Sequence, residues 1–83
     1  MKTIIFADAA SKQFDALPVD ARSRISDALD IYAIHGRGDI KRLAGRQDFR
    51  LRVGQYRVIF VEDQTTIVAV YIGRRASGTY RRN

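Results

Sequence analysis

The chain is short, basic and free of cysteine. Its 83 residues include 15 lysines and arginines against 9 acidic residues, a formal net charge of +6. A chain of this length is typical of one domain, and we expect residues 1–83 to form it. The lack of cysteine excludes disulfide bonds and thiolate metal sites. No segment approaches the ~18 apolar residues that span a bilayer, and no signal peptide is visible, so we expect a cytoplasmic protein without a membrane partner.

Positive charge is concentrated in the second half of the chain. Residues 1–39 hold five basic and six acidic residues, a net charge of −1, whereas residues 40–83 hold ten and three, a net charge of +7. Most basic residues of the second half are arginines, whose guanidinium groups match the geometry of phosphate. This pattern favours a nucleic acid as the partner, with an acidic protein as the main competitor.

The first half of the chain predicts one strand followed by two helices. Thr3–Ala7 is rich in β-branched residues, which is typical of a strand. Asp8 is expected to be the N-cap of the first helix, and Pro18 ends that helix. The second helix is predicted to run to about His35, because its apolar residues share one face and Gly36 follows as a stop signal.

The second half predicts three strands: Phe49–Val53, Gln55–Glu62 and Thr65–Gly73. The first two are joined by a tight turn at Gly54 and Gln55. The last strand is apolar on both faces, so we expect it in the middle of the sheet. The order β-α-α-β-β-β predicts an α+β fold with a small, mainly antiparallel sheet and two N-terminal helices packed on one face.

Arginines recur at strand spacing in this half. Arg50 and Arg52 share one face, because successive side chains on a strand point to opposite faces. Arg57 lies on the next strand, and Arg74 and Arg75 end the last one. Adjacent strands are about 4.8 Å apart, so these groups could converge on one phosphate. Such a cluster could stabilise the phosphorane formed when an RNA 2′-hydroxyl attacks, or it could bind polyanions without any chemistry; the pattern leaves both open.

No metal, cofactor or nucleophile site is indicated. His35 is the single histidine and has no second ligand at a recognisable spacing, so a capping or surface role is expected. Asp48, Glu62 and Asp63 are interpreted as turn residues rather than as a carboxylate pair. No glycine-rich phosphate loop is present. We therefore expect neither a metal nor a cofactor.

The tyrosines receive different interpretations. Tyr80 is a candidate for moving a proton or stacking on a base, although the residues by themselves favour a tail residue without such a role. Tyr56 and Tyr71 lie in predicted strands and are interpreted as core or boundary aromatics.

The run IKRLAGRQDFRLRVGQYRVIFVED, followed by IVAVYIGRRASGTYR, resembles the RelE/ParE superfamily of toxins from type II toxin–antitoxin systems. The family pattern is a basic Leu-Gly loop, a strand with alternating basic residues, G-x-Y-R-V-I-[FY], an acidic turn, an apolar strand, and G-x-R followed by Tyr. The likeness covers about residues 1–82 and is densest from Lys41 onward. Within the superfamily, the RelE-like ribonucleases, which cleave mRNA in the ribosomal A site, look closest.

The resemblance implies a role for individual residues. Arg57, Arg75 and Tyr80 fall on the catalytic positions of that branch, and Arg50 and Arg52 fall on its alternating basic pair. Taking the basic pattern and the resemblance together, we expect RNA or phosphate binding by Arg50, Arg52, Arg74, Arg46 and Lys41. The resemblance also implies a cognate antitoxin as partner, and the ribosome with its mRNA as target.

Two departures keep alternatives open. The alternating pair is often lysine in the ribonucleases, whereas Arg50 and Arg52 stay protonated and are poor general bases. The ParE branch, which poisons DNA gyrase, shares the fold and the arginines of the Y-R and G-x-R motifs, although its members usually have a longer helical hairpin. A gyrase poison and a non-catalytic basic RNA-binding module therefore remain as alternatives.

Overall fold

Five strands and two helices make up the part of the chain that the computed structural model describes, residues 1–43, 45 and 47–74. In chain order they are β1 (Thr3–Phe6), α1 (Asp8–Asp15), α2 (Val19–His35), β2 (Asp39–Arg42), β3 (Phe49–Val53), β4 (Tyr56–Glu62) and β5 (Thr66–Arg74). The predicted α+β order is confirmed. Strand β2 is an addition, because its sequence DIKR holds one apolar residue and shows no alternation.

The strands form one sheet in the order β1-β5-β4-β3-β2. Strand β1 runs parallel to β5, and all other pairs are antiparallel. The central strand is β4. The apolar strand β5 is internal, as expected, but lies one place away from the centre, between β1 and β4.

The helices cover one face of this sheet and close it to solvent. Helix α1 packs on β5, and α2 packs on β1 and β3. The buried side chains of this inner face and of the helices form one core, made of Ala10, Ala21, Ile25, Leu29, Ala33, Leu51, Tyr56, Val58, Phe60, Ile67, Ala69 and Ile72. Since the inner face is filled by this core, a ligand of the sheet has to bind on the opposite, outer face.

The helix ends follow the predicted signals with one exception. Asp8 is the first helical residue rather than the N-cap, which is Ala7 and makes no side-chain capping bond. The Asp8 carboxylate instead lies in the first turn, where it favours the positive end of the helix dipole. Pro18 precedes α2, and Gly36 ends it in the left-handed conformation at φ 70°. Neither of these two described helices is long and apolar enough to cross a membrane.

The turn between β3 and β4 is held tightly. Val53 pairs with Tyr56, so Gly54 and the residue after it form the predicted two-residue turn. Gly54 has φ 58°, which glycine adopts without strain. A Cβ at this position would also collide with the guanidinium of Arg24 on α2. The hairpin turn therefore lies against the Arg24 side chain.

A bulge interrupts the pairing of β4 and β5. Ile59 pairs with Tyr71, but the next residue of β4 pairs with Ala69, so β5 contains one extra residue, Val70. Ala69 faces the core before the bulge, and Ile72 faces it afterwards. The bulge thereby shifts the alternation of β5 by one residue and places Tyr71 on the outer face.

Candidate nucleic-acid interface

The outer face of the sheet carries two rows of paired residues. In the first row, Asp39, Arg52, Arg57 and Gly73 are successive cross-strand partners; in the second row, Lys41, Arg50, Ile59 and Tyr71 are. We call these eight residues the arginine face. It holds four basic side chains and one carboxylate, four minus one, a local net charge of +3.

The two rows bring the predicted cations of three different strands together. Arg52 and Arg57 are directly opposite each other across the β3–β4 hairpin, and such partners lie about 4.5–5.5 Å apart at their Cα atoms. Arg50 and Lys41 form the neighbouring pair. Because the strand register and the short turn at Gly54 fix these positions, the four basic residues share one face on three adjacent strands.

Asp39 links two of the arginines. Arg50 Nη2 donates to Asp39 Oδ1 at 3.3 Å, and Arg52 Nε lies 3.6 Å from Asp39 Oδ2. The Arg50 side chain is 15% exposed, whereas that of Arg52 is 42% exposed. Among the residues that the structure describes, the buried Arg50 Nε has no hydrogen-bond acceptor. A buried donor of this kind is costly to leave unsatisfied, so the site fits an anion. Sequence reasoning missed Asp39 because β2 was not predicted.

Tyr71 lies at the far end of the arginine face. A Cβ built on Gly73 would lie 2.8 Å from Cζ and 2.9 Å from Cε2 of this tyrosine and would collide with its hydroxyl. The ring therefore lies across the backbone of Gly73, on the same side of the sheet as Arg57. The interpretation of both tyrosines as core or boundary aromatics is confirmed: Tyr56 belongs to the core, and Tyr71 is half-buried on the outer face because of the bulge. A tyrosine two residues before a glycine in one strand was the available signal.

The other predicted site residues are placed differently. Arg74 pairs with Tyr56, a core residue, and so lies on the side of the sheet opposite Arg57. Arg46, Arg75 and Tyr80 lie outside the described residues, and their predicted roles stay predictions. His35 is exposed in the last turn of α2, as expected.

A second polar cluster lies at the other end of the sheet. Glu62 accepts a hydrogen bond from the Tyr32 hydroxyl at 2.7 Å, and it forms an ion pair with Lys2 Nζ at 2.6 Å. Burial, together with the hydrogen bond to Glu62 and its negative charge, raises the pKa of Tyr32 to about 12. Glu62 is the last residue of β4, where the predicted strand Gln55–Glu62 also ends, but its side chain belongs to this cluster and not to the turn. We call these three residues the Lys2–Tyr32–Glu62 cluster.

Asp63 follows as a true turn residue, which confirms its prediction. Its Oδ1 accepts hydrogen bonds from the backbone N–H groups of Thr65 and Thr66, both at 2.9 Å. These bonds favour the ionised carboxylate and lower the pKa of Asp63 below its usual value. The bonds fix the turn between β4 and β5.

Comparison with known proteins identifies relatives by structure rather than by sequence. No family model matches the chain, and no curated protein matches it significantly. A chain of the RelB–RelE antitoxin–toxin complex from Methanococcus jannaschii has a TM-score of 0.72 and 26% identity, covering 88% of this chain and 92% of that one. A chain of the archaeal RelE–RelB complex from Pyrococcus horikoshii OT3 has a TM-score of 0.76 and 21% identity, covering 92% of this chain and 97% of that one. The isolated E. coli RelE toxin has a TM-score of 0.77 and 15% identity, covering 89% of this chain and 84% of that one.

These matches extend over nearly all of the described chain and over most of each solved toxin chain. They include the α+β order and the mixed five-stranded sheet. The protein has the RelE-like toxin fold, and the resemblance seen in the sequence is confirmed.

Proposed function

We propose that this chain is the toxin of a type II toxin–antitoxin pair and acts in the cytoplasm as a ribosome-dependent mRNA endoribonuclease. The observation that carries the proposal is the arginine face, a cluster of net charge +3 on the outer face of a RelE-like sheet. Guanidinium groups on two paired strands suit a phosphate of the RNA backbone.

The chemistry assigned to the arginine face is charge stabilisation. In the proposed reaction the RNA 2′-oxygen attacks the adjacent phosphorus, and the bond from phosphorus to the 5′-oxygen breaks. The products are a 2′,3′-cyclic phosphate and a 5′-hydroxyl, and the proton lost by the 2′-hydroxyl is balanced by the one gained by the leaving oxygen. Arg52 and Arg57 stabilise the additional negative charge of the phosphorane, so we propose that the toxin supplies this positive charge without a metal.

Dependence on the ribosome follows from the residue types. Arginine does not give up its proton near neutral pH, so Arg50, Arg52 and Arg57 bind phosphate but do not activate the 2′-hydroxyl. The reactive alignment of the 2′-oxygen, phosphorus and 5′-oxygen must then come from the bound state of the mRNA. A decoding site that holds the mRNA backbone in a fixed bend supplies such alignment.

The proposed antitoxin has an apolar surface to cover. Ile31 and Ile34 on α2 are 48% and 52% exposed, and Ile31 lines a groove of about 500 Å³ between α2 and the β2–β3 edge. Arg37 and Arg52 also line this groove, so an antitoxin segment with apolar and acidic residues would fill it and reach the arginine face. The RelB–RelE complexes among the structural relatives support a partner of this kind.

The antitoxin surface is tested by one charge placed at Ile34, which is exposed three residues after Ile31 on α2. Ile34→Asp should weaken antitoxin binding at least about tenfold, because the carboxylate would be buried in the interface. Val19→Asp is the matched control, since Val19 is also exposed on α2 but lies at the opposite end of the helix. Equal affinity of both variants, measured by calorimetry, would place the antitoxin elsewhere.

Primer extension on translating ribosomes tests the enzymatic function. Purified toxin, free of antitoxin, is added to ribosomes translating a defined mRNA, and in parallel to the same RNA without ribosomes. The proposal predicts codon-spaced cleavage when translation is running and little cleavage of free RNA. A plasmid assay with purified DNA gyrase runs alongside. Intact mRNA together with covalent gyrase–DNA breaks would contradict the proposal in favour of a gyrase poison, and silence in both assays would leave a non-catalytic RNA-binding protein.

A further inference from the structure

The bulge in β5 exposes one aromatic side chain to the arginine face. An uninterrupted strand would turn Tyr71 toward the core, in phase with Ile67 and Ala69. The extra residue, Val70, reverses that direction. Bulges commonly re-aim a side chain next to a functional site, and here the side chain that is re-aimed carries a hydroxyl.

The glycine two residues later determines where that hydroxyl lies. Gly73 is the cross-strand partner of Arg57, and the Tyr71 ring lies over it on the Arg57 side. Any larger residue at position 73 would displace both the ring and its hydroxyl. The Cα atom of Tyr71 thus lies in the row of Arg50 and Ile59, whereas its hydroxyl lies over Gly73, in the row of Arg52 and Arg57.

We propose that the Tyr71 hydroxyl donates a hydrogen bond to a non-bridging oxygen of the phosphate bound by Arg57, and that Gly73 is the seat that admits the phenol. This inference rests on the proposed function and adds a substrate-contacting residue to it. Tyr71 forms and breaks no covalent bond; its hydroxyl is a neutral donor beside charged ones, held by a ring that packing fixes in place.

A packing role for the ring and a role for the hydroxyl lead to different predictions. Ile59, the strand partner of Tyr71, is fully buried, and a phenylalanine ring would contact it equally well. The two roles therefore differ in what Tyr71→Phe does. Loss of the hydroxyl should lower the single-turnover rate of mRNA cleavage on ribosomes about 100-fold, the lower end of the range for removal of one preorganised donor. The toxin concentration at half-maximal rate should stay unchanged.

Tyr56→Phe is the matched control. Tyr56 lies in the adjacent strand but faces the core, so its hydroxyl is on the wrong side of the sheet for the phosphate. This variant should cleave at the wild-type rate once folding is checked by circular dichroism. A folded Tyr71→Phe variant that cleaves as fast as the wild-type protein would overturn the proposal.

A double-mutant cycle tests the seat. Gly73→Ala should lower cleavage about as much as Tyr71→Phe, because it displaces the hydroxyl. In a Tyr71→Ala background, where no ring needs the space, Gly73→Ala should cost nothing further. If Gly73→Ala lowers cleavage equally in both backgrounds, the glycine does not act through Tyr71 and the proposed seat is wrong.

An anion titration separates this inference from the proposed function. With ¹³C-labelled tyrosine, inorganic phosphate added to the isolated toxin should shift the ring signals of Tyr71 and leave those of Tyr56 in place. That result, combined with no cleavage on ribosomes by the wild-type toxin, would retain the phosphate contact and reject the ribonuclease. Unmoved Tyr71 signals at phosphate concentrations that shift the Arg57 Nε–Hε signal would reject the contact itself.

Discussion

The arginine face and the Lys2–Tyr32–Glu62 cluster are two polar groups on one small sheet, and they differ in net charge. In the Lys2–Tyr32–Glu62 cluster one carboxylate accepts from one ammonium and one hydroxyl, so its charges sum to zero. On the arginine face one carboxylate, Asp39, faces two of four basic side chains, and the charges sum to +3.

The difference in net charge separates a contact that stabilises the fold from a surface that attracts anions. A neutral, hydrogen-bonded cluster joins α2, β4 and the residue before β1 without any ligand. Like charges held on a rigid sheet repel one another until an anion binds between them. We therefore propose that excess charge on the rigid sheet marks the functional surface, whereas balanced charge marks a structural contact.

The largest expected effect is a loss of mRNA cleavage when the arginine face is changed. Arg57→Ala should lower mRNA cleavage on ribosomes at least about 100-fold, because a preorganised charge at the phosphate is removed. Arg42→Ala is the control: it also removes one positive charge, but Arg42 lies over the Phe49 ring on the other side of the sheet. Cleavage by Arg42→Ala should stay within about threefold of wild type, since a diffuse field depends weakly on one charge. Equal losses in both folded variants would argue for diffuse charge.

The next largest effect is a loss of stability when the Lys2–Tyr32–Glu62 cluster is changed. Tyr32→Phe removes a hydrogen bond to an ionised carboxylate and should lower the free energy of unfolding by about 1.5–3 kcal/mol. Cleavage measured well below the unfolding temperature should not change, because Tyr32 lies at the far end of the sheet. Urea unfolding followed by circular dichroism gives the first quantity. A stable Tyr32→Phe protein with lost cleavage would contradict the division of roles.

The raised pKa of Tyr32, about 12, sharpens this assignment through pH. A free tyrosine titrates near 10, so between about pH 10 and pH 12 the unfolded chain loses the phenol proton while the folded protein keeps it. The stabilisation by Tyr32 is complete below pH 10 and is lost as the pH rises toward 12. The stability gap between wild type and Tyr32→Phe should therefore narrow across this window; a constant gap from pH 8 to pH 11.5 would show that Tyr32 does not titrate as described.

The smallest effect concerns the turn next to the cluster. The pKa of Asp63 is lowered by the backbone N–H groups of Thr65 and Thr66, so its contribution is present above the usual aspartate range and lost as the pH falls through the lowered value. Asp63→Ala should be less stable than wild type at pH 7, and the two proteins should converge in acid. Thermal unfolding at pH 7 and pH 2.5 checks this, and a difference that grows in acid would reject the assignment.

Much of the scaffold could be predicted because local signals determine it. Gly36 ends α2, and Gly54 forms the turn that sets the register of Arg52 against Arg57, as the sequence indicates. The alternation of Arg50 and Arg52 predicted a basic outer face, and the structure brings Lys41 and Arg57 onto the same face.

What the sequence could not provide depends on pairing between distant segments. Strand β2 exists only because it pairs with β3, so Asp39 and its contacts with two arginines were missed. The boundary position of Tyr71 was predicted, but its place on the outer face was not, because the bulge next to Ile59 cannot be read from a single strand. The contacts of Glu62 were missed because its partners, Lys2 and Tyr32, are far away in sequence.

The most direct test of the central claim is a titration of the arginine side chains with inorganic phosphate. The claim is that the arginine face forms one anion site rather than a region of diffuse charge. With ¹⁵N-labelled arginine, the Nε–Hε signals of Arg50, Arg52 and Arg57 should shift together along one saturating curve, while those of Arg22 and Arg42 stay in place. Shifts of all arginine signals in proportion to their exposure, without saturation, would contradict it.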